Sequence, residues 1–135
     1  MGIAIIGITA GLLGLVYFYL SMRISMMRMR HKVSLGDGGR ADLGQAVRAH
    51  ANFIEYVPFT LILLLSASAF QASVWAILVG CVMLVANRVL HAVGMRAKNA
   101  VSAARRHGAL LTYLTVLYAS LLCIGYGLWW LRYAG

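Results

Sequence analysis

From Gly2 to Met22 the chain carries no charged side chain, and it runs uncharged again over residues 56–87 and 108–131. Stretches this long and apolar leave few options, because inside hydrocarbon every backbone N–H and C=O must be satisfied within the segment itself, which an α-helix does. About 20 residues cross a hydrocarbon core of about 30 Å, and Gln71, Ala72 and Ser73 offer a turn that divides the middle stretch into two crossings. The 135 residues thus accommodate four helices, and a 62% hydrophobic content stands well above the roughly 45–50% of soluble domains. The expected class is an all-α integral membrane four-helix bundle forming a single domain.

The charges define the sidedness. Twelve Lys and Arg face three Asp and Glu, a net +9, which in a soluble chain would point to nucleic acid. Here the excess is confined to two clusters: Arg23, Arg28, Arg30, Lys32, Arg40 and Arg48, then Arg88, Arg96, Lys98, Arg105 and Arg106, with Arg132 apart. Basic clusters between apolar spans follow the positive-inside rule and suit anionic headgroups, so membrane lipids rather than nucleic acid are the expected partner. Both basic connections are then cytoplasmic, and both termini and the 71–73 turn lie outside. Trp75, Trp129, Trp130 and Tyr133 gather at the outer interface, and Tyr17, Tyr19 and Tyr56 near the inner one, as an aromatic belt requires. No basic residue precedes the first apolar run, so that run reads as a retained helix rather than a cleaved signal. Ile6 stands where a myristoylation motif needs Ser or Thr. Cys81 and Cys123 fall in apolar runs and read as buried thiols.

The expected helices cover about 2–30, 42–70, 73–97 and 105–132. Gly7, Gly11 and Gly14 suit close packing of the first helix against a neighbour. The glycine-rich stretch 31–44 reads as the one substantial loop, with Asp42 as N-cap of the second helix and Ser73 of the third.

At about 100° per residue, Gln45, Arg48, Asn52, Glu55 and Tyr56 share one face of the second helix, and His50 faces away. Glu55 is the one acid outside the loop region, and a carboxylate near lipid must face protein or a wet cavity. Two readings compete. In one, Arg48, Asn52 and Glu55 close on each other. In the other they line a site for a polar ligand with both charges, guanidinium to carboxylate, carboxylate to ammonium and amide to peptide. Pro58 can open a kink at this level. Arg88, His91 and Met95 share a face late in the third helix, either extending that cavity or snorkelling to headgroups. His31, His50 and His107 lack ligand spacing, so no metal is expected.

The run from Arg48 to Pro58, with Arg48, Asn52, Glu55, Tyr56 and Pro58 in place, resembles the signature of the membrane-associated proteins in eicosanoid and glutathione metabolism, the MAPEG superfamily, in the style of its bacterial members. The resemblance extends over nearly the whole chain. It implies a homotrimer in the bacterial inner membrane with glutathione bound between subunits near the cytoplasmic side. Arg48, Asn52, Glu55 and Tyr56 would contact the tripeptide, helped by an arginine at the end of the first helix (Arg23, Arg28 or Arg30), while Arg88 and His91, placed by their own spacing, would extend the glutathione site. Arg105 or Arg106 would activate the thiol. Eukaryotic members carry two tyrosines four residues apart where this chain has His91 and Met95.

The expected activity is that of a membrane glutathione transferase, joining the glutathione thiolate to an apolar electrophile from the bilayer, with peroxide reduction as a related outcome. The alternatives are a small proton-coupled multidrug transporter, which a lone intramembrane acid would suit, and a catalytically idle trimer of the same fold serving as a lipid-binding or structural protein.

Overall fold

The computed structural model describes residues 1–94 and 103–133, with side chains over 1–90 and 106–133. Its elements are α1 (Gly2–His31), α2 (Ala41–Ala69), α3 (Val74–Gly94) and α4 (Ala103–Tyr133). At 1.5 Å per residue, α1, α2 and α4 are each about 43–46 Å long, and all three are long and apolar enough to cross a membrane. Their ends therefore project beyond a hydrocarbon core of about 30 Å.

Around the bundle the order is α1, α2, α4, α3. Each helix packs on its two neighbours, and α2 also meets α3 across the middle, whereas α1 and α4 do not touch among the described residues. The interior is layered along the axis. Ile6, Leu64, Ala67, Ile77, Cys81 and Ala119 fill the end near the 71–73 turn; Leu13, Phe53, Val57 and Leu84 fill the middle; Ile24, Leu43 and Ala46 close the basic end. Large apolar side chains such as Ile8, Leu15, Phe18, Leu117 and Leu121 point outward, which costs nothing when the surrounding medium is lipid.

The glycines correct one expectation. No atom lies within 4 Å of where a Cβ would sit on Gly7, Gly11 or Gly14, so α1 makes no close approach at these positions within the protomer. The tight contact is at Gly80, where a Cβ would meet Leu64 Cδ2 at 2.6 Å and Tyr118 at 3.3 Å.

The loop corrects another. The N-cap of α2 is Arg40, with no side-chain cap, and Asp42 lies inside the first turn. There its carboxylate pairs with His31 Nε2 at 3.1 Å, tying the end of α1 to the start of α2. The loop supplies its own turn: Gly39 N–H donates to Asp37 Oδ1 at 2.9 Å and Arg40 N–H to the Asp37 carbonyl at 3.0 Å, with Gly36, Gly38 and Gly39 all at positive φ. At the other end of α2, Ser73 N–H donates to Tyr126 Oη at 3.2 Å, so α4 holds the short turn between α2 and α3.

Gly80→Val is expected to lower stability by about 1–3 kcal/mol, the usual range for overpacking a filled core, while Gly11→Val stays within about 0.5 kcal/mol of the parent. Thermal denaturation of both variants in one detergent makes the comparison.

Candidate functional site

The second helix presents its polar face as the sequence spacing predicts. Gln45, Arg48 and Glu55 are exposed on the protomer, and Asn52 and Tyr56 are half-buried. Among the described residues the one ion pair is His31 with Asp42, so Arg48 and Glu55 are not sealed against each other. Asn52 does not bridge them either. Its side chain is taken by an arginine from a different helix.

That arginine is Arg88. It is turned inward, 5% exposed, rather than snorkelling to headgroups. Its Nη1 donates to Asn52 Oδ1 at 2.9 Å and to the Asn52 carbonyl at 3.4 Å. Its Nε donates to Asn87 Oδ1 and its Nη2 to Thr112 Oγ1. Its guanidinium carbon stands 5.9 Å from the Tyr56 ring centroid, within cation–π range. The acceptors are themselves oriented. Thr112 donates its own proton to the Gly108 carbonyl at 2.8 Å, which leaves its oxygen free to accept. Asn87 Nδ2 donates to Thr115 Oγ1 at 3.1 Å, and Thr115 donates to the Leu111 carbonyl at 2.6 Å. The outcome is a guanidinium held by neutral oxygens from α2, α3 and α4, with no carboxylate in ion-pair range among the described residues. A buried charge without a counter-ion is expensive, and in a medium of low dielectric it acts strongly on any anion brought close.

Tyr56 links this node to α4 a second time through an edge-on contact with Tyr113, centroids 6.2 Å apart and planes at 70°. Arg106 lies two turns before Tyr113 and so on the same face of α4, with its side chain exposed. The side chains of Arg105 and His91, and Met95 as a whole, lie outside the described residues.

The polar face continues into the loop as a cleft of about 560 Å³ lined by Gly36, Asp37, Gly44, Gln45 and Arg48 among others. Arg28 meets the same loop through a 3.3 Å bond from Nη2 to the Gly36 carbonyl, and its Nε is buried with no hydrogen-bond partner. Arg30 is not part of this arrangement. It lines a separate hollow of about 270 Å³ with Arg23, Met26 and Met27, all on α1. Of the residues singled out from the sequence, the protomer brings Asn52, Tyr56 and Arg88 into contact, sets Arg48 and Glu55 beside them on the open face, and leaves Arg30 elsewhere.

Sequence reading missed the part played by Asn87, Thr112 and Thr115. The threonines gave little signal, because a helical Thr can bond the carbonyl four residues back and so sits in an apolar run without announcing a partner.

An all-α bundle of membrane-length helices, with a basic end and a polar face opening there, defines the class as a small integral membrane protein. The comparisons narrow it. Residues 6–125 match the model of the MAPEG family, and the chain belongs to that family. Among curated proteins it is similar to inner membrane protein YecN of Escherichia coli strain K12, 30% identical over 120 residues, which cover 89% of this chain and 90% of the relative. The same figures hold for inner membrane protein YecN of Escherichia coli O6:H1 strain CFT073. No solved structure matches the chain.

Thr112→Val removes one acceptor from the buried guanidinium while conserving shape, and is expected to cost about 1–3 kcal/mol. Tyr113→Phe keeps the ring contact and is expected to stay within about 0.5 kcal/mol. Chemical denaturation in mixed micelles would separate the two.

Proposed function

We propose that this protein is a membrane glutathione transferase, binding glutathione at the cytoplasmic rim of the bilayer along the Arg48 to Tyr56 face and joining its sulfur to an apolar electrophile supplied by the membrane. The observation that carries the reading is that, among the described residues, Arg48 and Glu55 make no ion pair on one open face, beside a cleft and a buried guanidinium without an anion. Family membership supports the same chemistry.

In this reading Arg48 takes a carboxylate of the tripeptide and Glu55 its ammonium, the pairing that opposite charges at fixed spacing favour. Asn52 and Tyr56 contact the backbone between them, with Arg28, Arg88 and His91 as further contacts. A free thiol has a pKa of about 8.5, so at neutral pH only a few per cent is thiolate. A guanidinium beside the sulfur stabilises the anion and raises that fraction. Arg105 or Arg106 at the start of α4 supplies it, and Arg106 shares its helix face with Tyr113, the residue that meets Tyr56. The thiolate then attacks the electrophilic carbon, a carbon–sulfur bond forms, and the leaving group departs with its electron pair. A face this polar cannot be left to lipid, and a neighbouring subunit of a homotrimer covers it. The protein sits in the bacterial inner membrane with both basic connections cytoplasmic and both termini outside.

Purified protein is expected to conjugate glutathione to a chloronitrobenzene, with release of chloride. Arg48→Ala and Glu55→Ala are each expected to weaken glutathione binding by about 1.5–3 kcal/mol, on the order of 10- to 150-fold in Kd, read by calorimetry. Loss of turnover with binding intact in Arg105→Ala or Arg106→Ala identifies the activating residue. Absence of both binding and turnover in the parent protein refutes the proposal.

A further inference from the structure

The hydrogen bonds around Arg88 have directions that chemistry alone settles. A guanidinium donates and cannot accept, so both asparagines must turn their side-chain oxygens toward it: Asn52 Oδ1 meets Nη1 at 2.9 Å, and Asn87 Oδ1 meets Nε. The Asn87 amide, so turned, presents its nitrogen to Thr115 Oγ1 at 3.1 Å. Asn52 is fixed by the same rule. The end of its amide not taken by Arg88 is Nδ2, which carries two N–H donors, and Asn52 stands between Arg48 and Glu55 on the polar face of α2.

Arg88 has a second place to go. Late in α3 its long side chain could reach out to the headgroups, and what keeps it inward is the set of oxygens that receive it. Thr112 is the one from α4. It is buried, 3% exposed, and its own proton is spent on the Gly108 carbonyl at 2.8 Å. Remove that oxygen and Nη2 loses its acceptor in a pocket closed to water, the costly state for a charged donor. Turning outward relieves the cost, but it withdraws Nη1 from Asn52 and lifts the guanidinium from the Tyr56 ring, now 5.9 Å from its centroid. A released Asn52 is four residues from Arg48 and three from Glu55, within reach of either on its own helix. The open face would then begin to close on itself.

We infer that Thr112 is a positioning residue of the glutathione site: acting through Arg88, it locks the Asn52 amide so that Asn52 meets the tripeptide as a hydrogen-bond donor, at a peptide carbonyl. The inference rests on the proposed function and adds to it a residue that touches no ligand, together with the polarity of one contact. That polarity is a specificity device. A ligand offering a carbonyl between its two charged ends is accepted by Nδ2, whereas one offering an N–H at that point sets donor against donor.

Calorimetry of glutathione binding to the full chain in detergent micelles tests both parts. Thr112→Val keeps the shape and loses the oxygen, and is expected to raise Kd about tenfold. Thr112→Ser keeps the hydroxyl and is expected to bind within about twofold of the parent. In turnover the Thr112→Val defect is expected in KM for glutathione with kcat retained, the reverse of the pattern that marks the thiol-activating arginine. A residue that only supported the fold would lower stability and leave the Kd of the folded protein unmoved. Asn52→Asp is the independent arm: it keeps an oxygen for Arg88 but has no N–H to give, and is expected to hold the fold while binding glutathione about tenfold more weakly. Parent-like affinity in Thr112→Val, an equal loss in Thr112→Ser, or parent-like affinity in Asn52→Asp overturns the inference and leaves the glutathione site standing. Failure of the parent protein to bind glutathione overturns both.

Discussion

A buried guanidinium with no acid beside it organises this bundle. Arg88 draws one acceptor residue from each of three helices, Asn52, Asn87 and Thr112, and Thr112 and Thr115 donate their own protons to their own helix backbone. The arrangement explains why α2, α3 and α4 are in mutual contact at this level while α1 stands outside the node. It also gives the polar face of α2 a fixed backdrop. Asn52 is held from behind, Tyr56 lies under the cation, and Arg48 and Glu55 are left facing outward on the same rigid helix.

That placement bears on the two ways in which the α2 cluster could be used. Had Arg48, Asn52 and Glu55 satisfied one another, the face would be a finished structural element. Asn52 is committed to Arg88 instead, and the two opposite charges remain separate on an open surface. In a membrane such a surface is unfinished, since a carboxylate facing hydrocarbon is costly unless partnered. Under the proposed function, a peptide with free ends brings both of the charges that complete it.

Much of the architecture was legible in the chain because the bilayer imposes a coarse rule: long uncharged runs become helices, and basic connections sort to one side. The polar face was legible too, since Arg48, Asn52 and Glu55 repeat at helical spacing. The orientation of Arg88 was not. At the end of an apolar helix an arginine has two comparable solutions, outward to headgroups or inward to acceptors, and the choice depends on oxygens contributed from 24 residues away by Thr112 and 36 away by Asn52. Asp42 shows a smaller failure of the same kind. Its residue type favours a cap, but the loop turns on Asp37 and the N-cap falls two residues earlier, at Arg40, and Asp42 is freed to pair with His31. The Gly7, Gly11 and Gly14 series shows that a sequence pattern for close packing does not name the partner, and none is found within the protomer.

Among the described residues α1 and α4 do not touch, so α1 communicates with α4 through α2 and α3. A tilt of α1, of the sort a thinner or thicker bilayer would impose, works first on its contacts with α2 and α3 and reaches α4 through them. Movement of α4 against α2 acts first on the neighbourhood of Tyr56, through its contact with Tyr113. α2 and α3, each in contact with all three other helices, are the posts through which the two flanks of the bundle are joined.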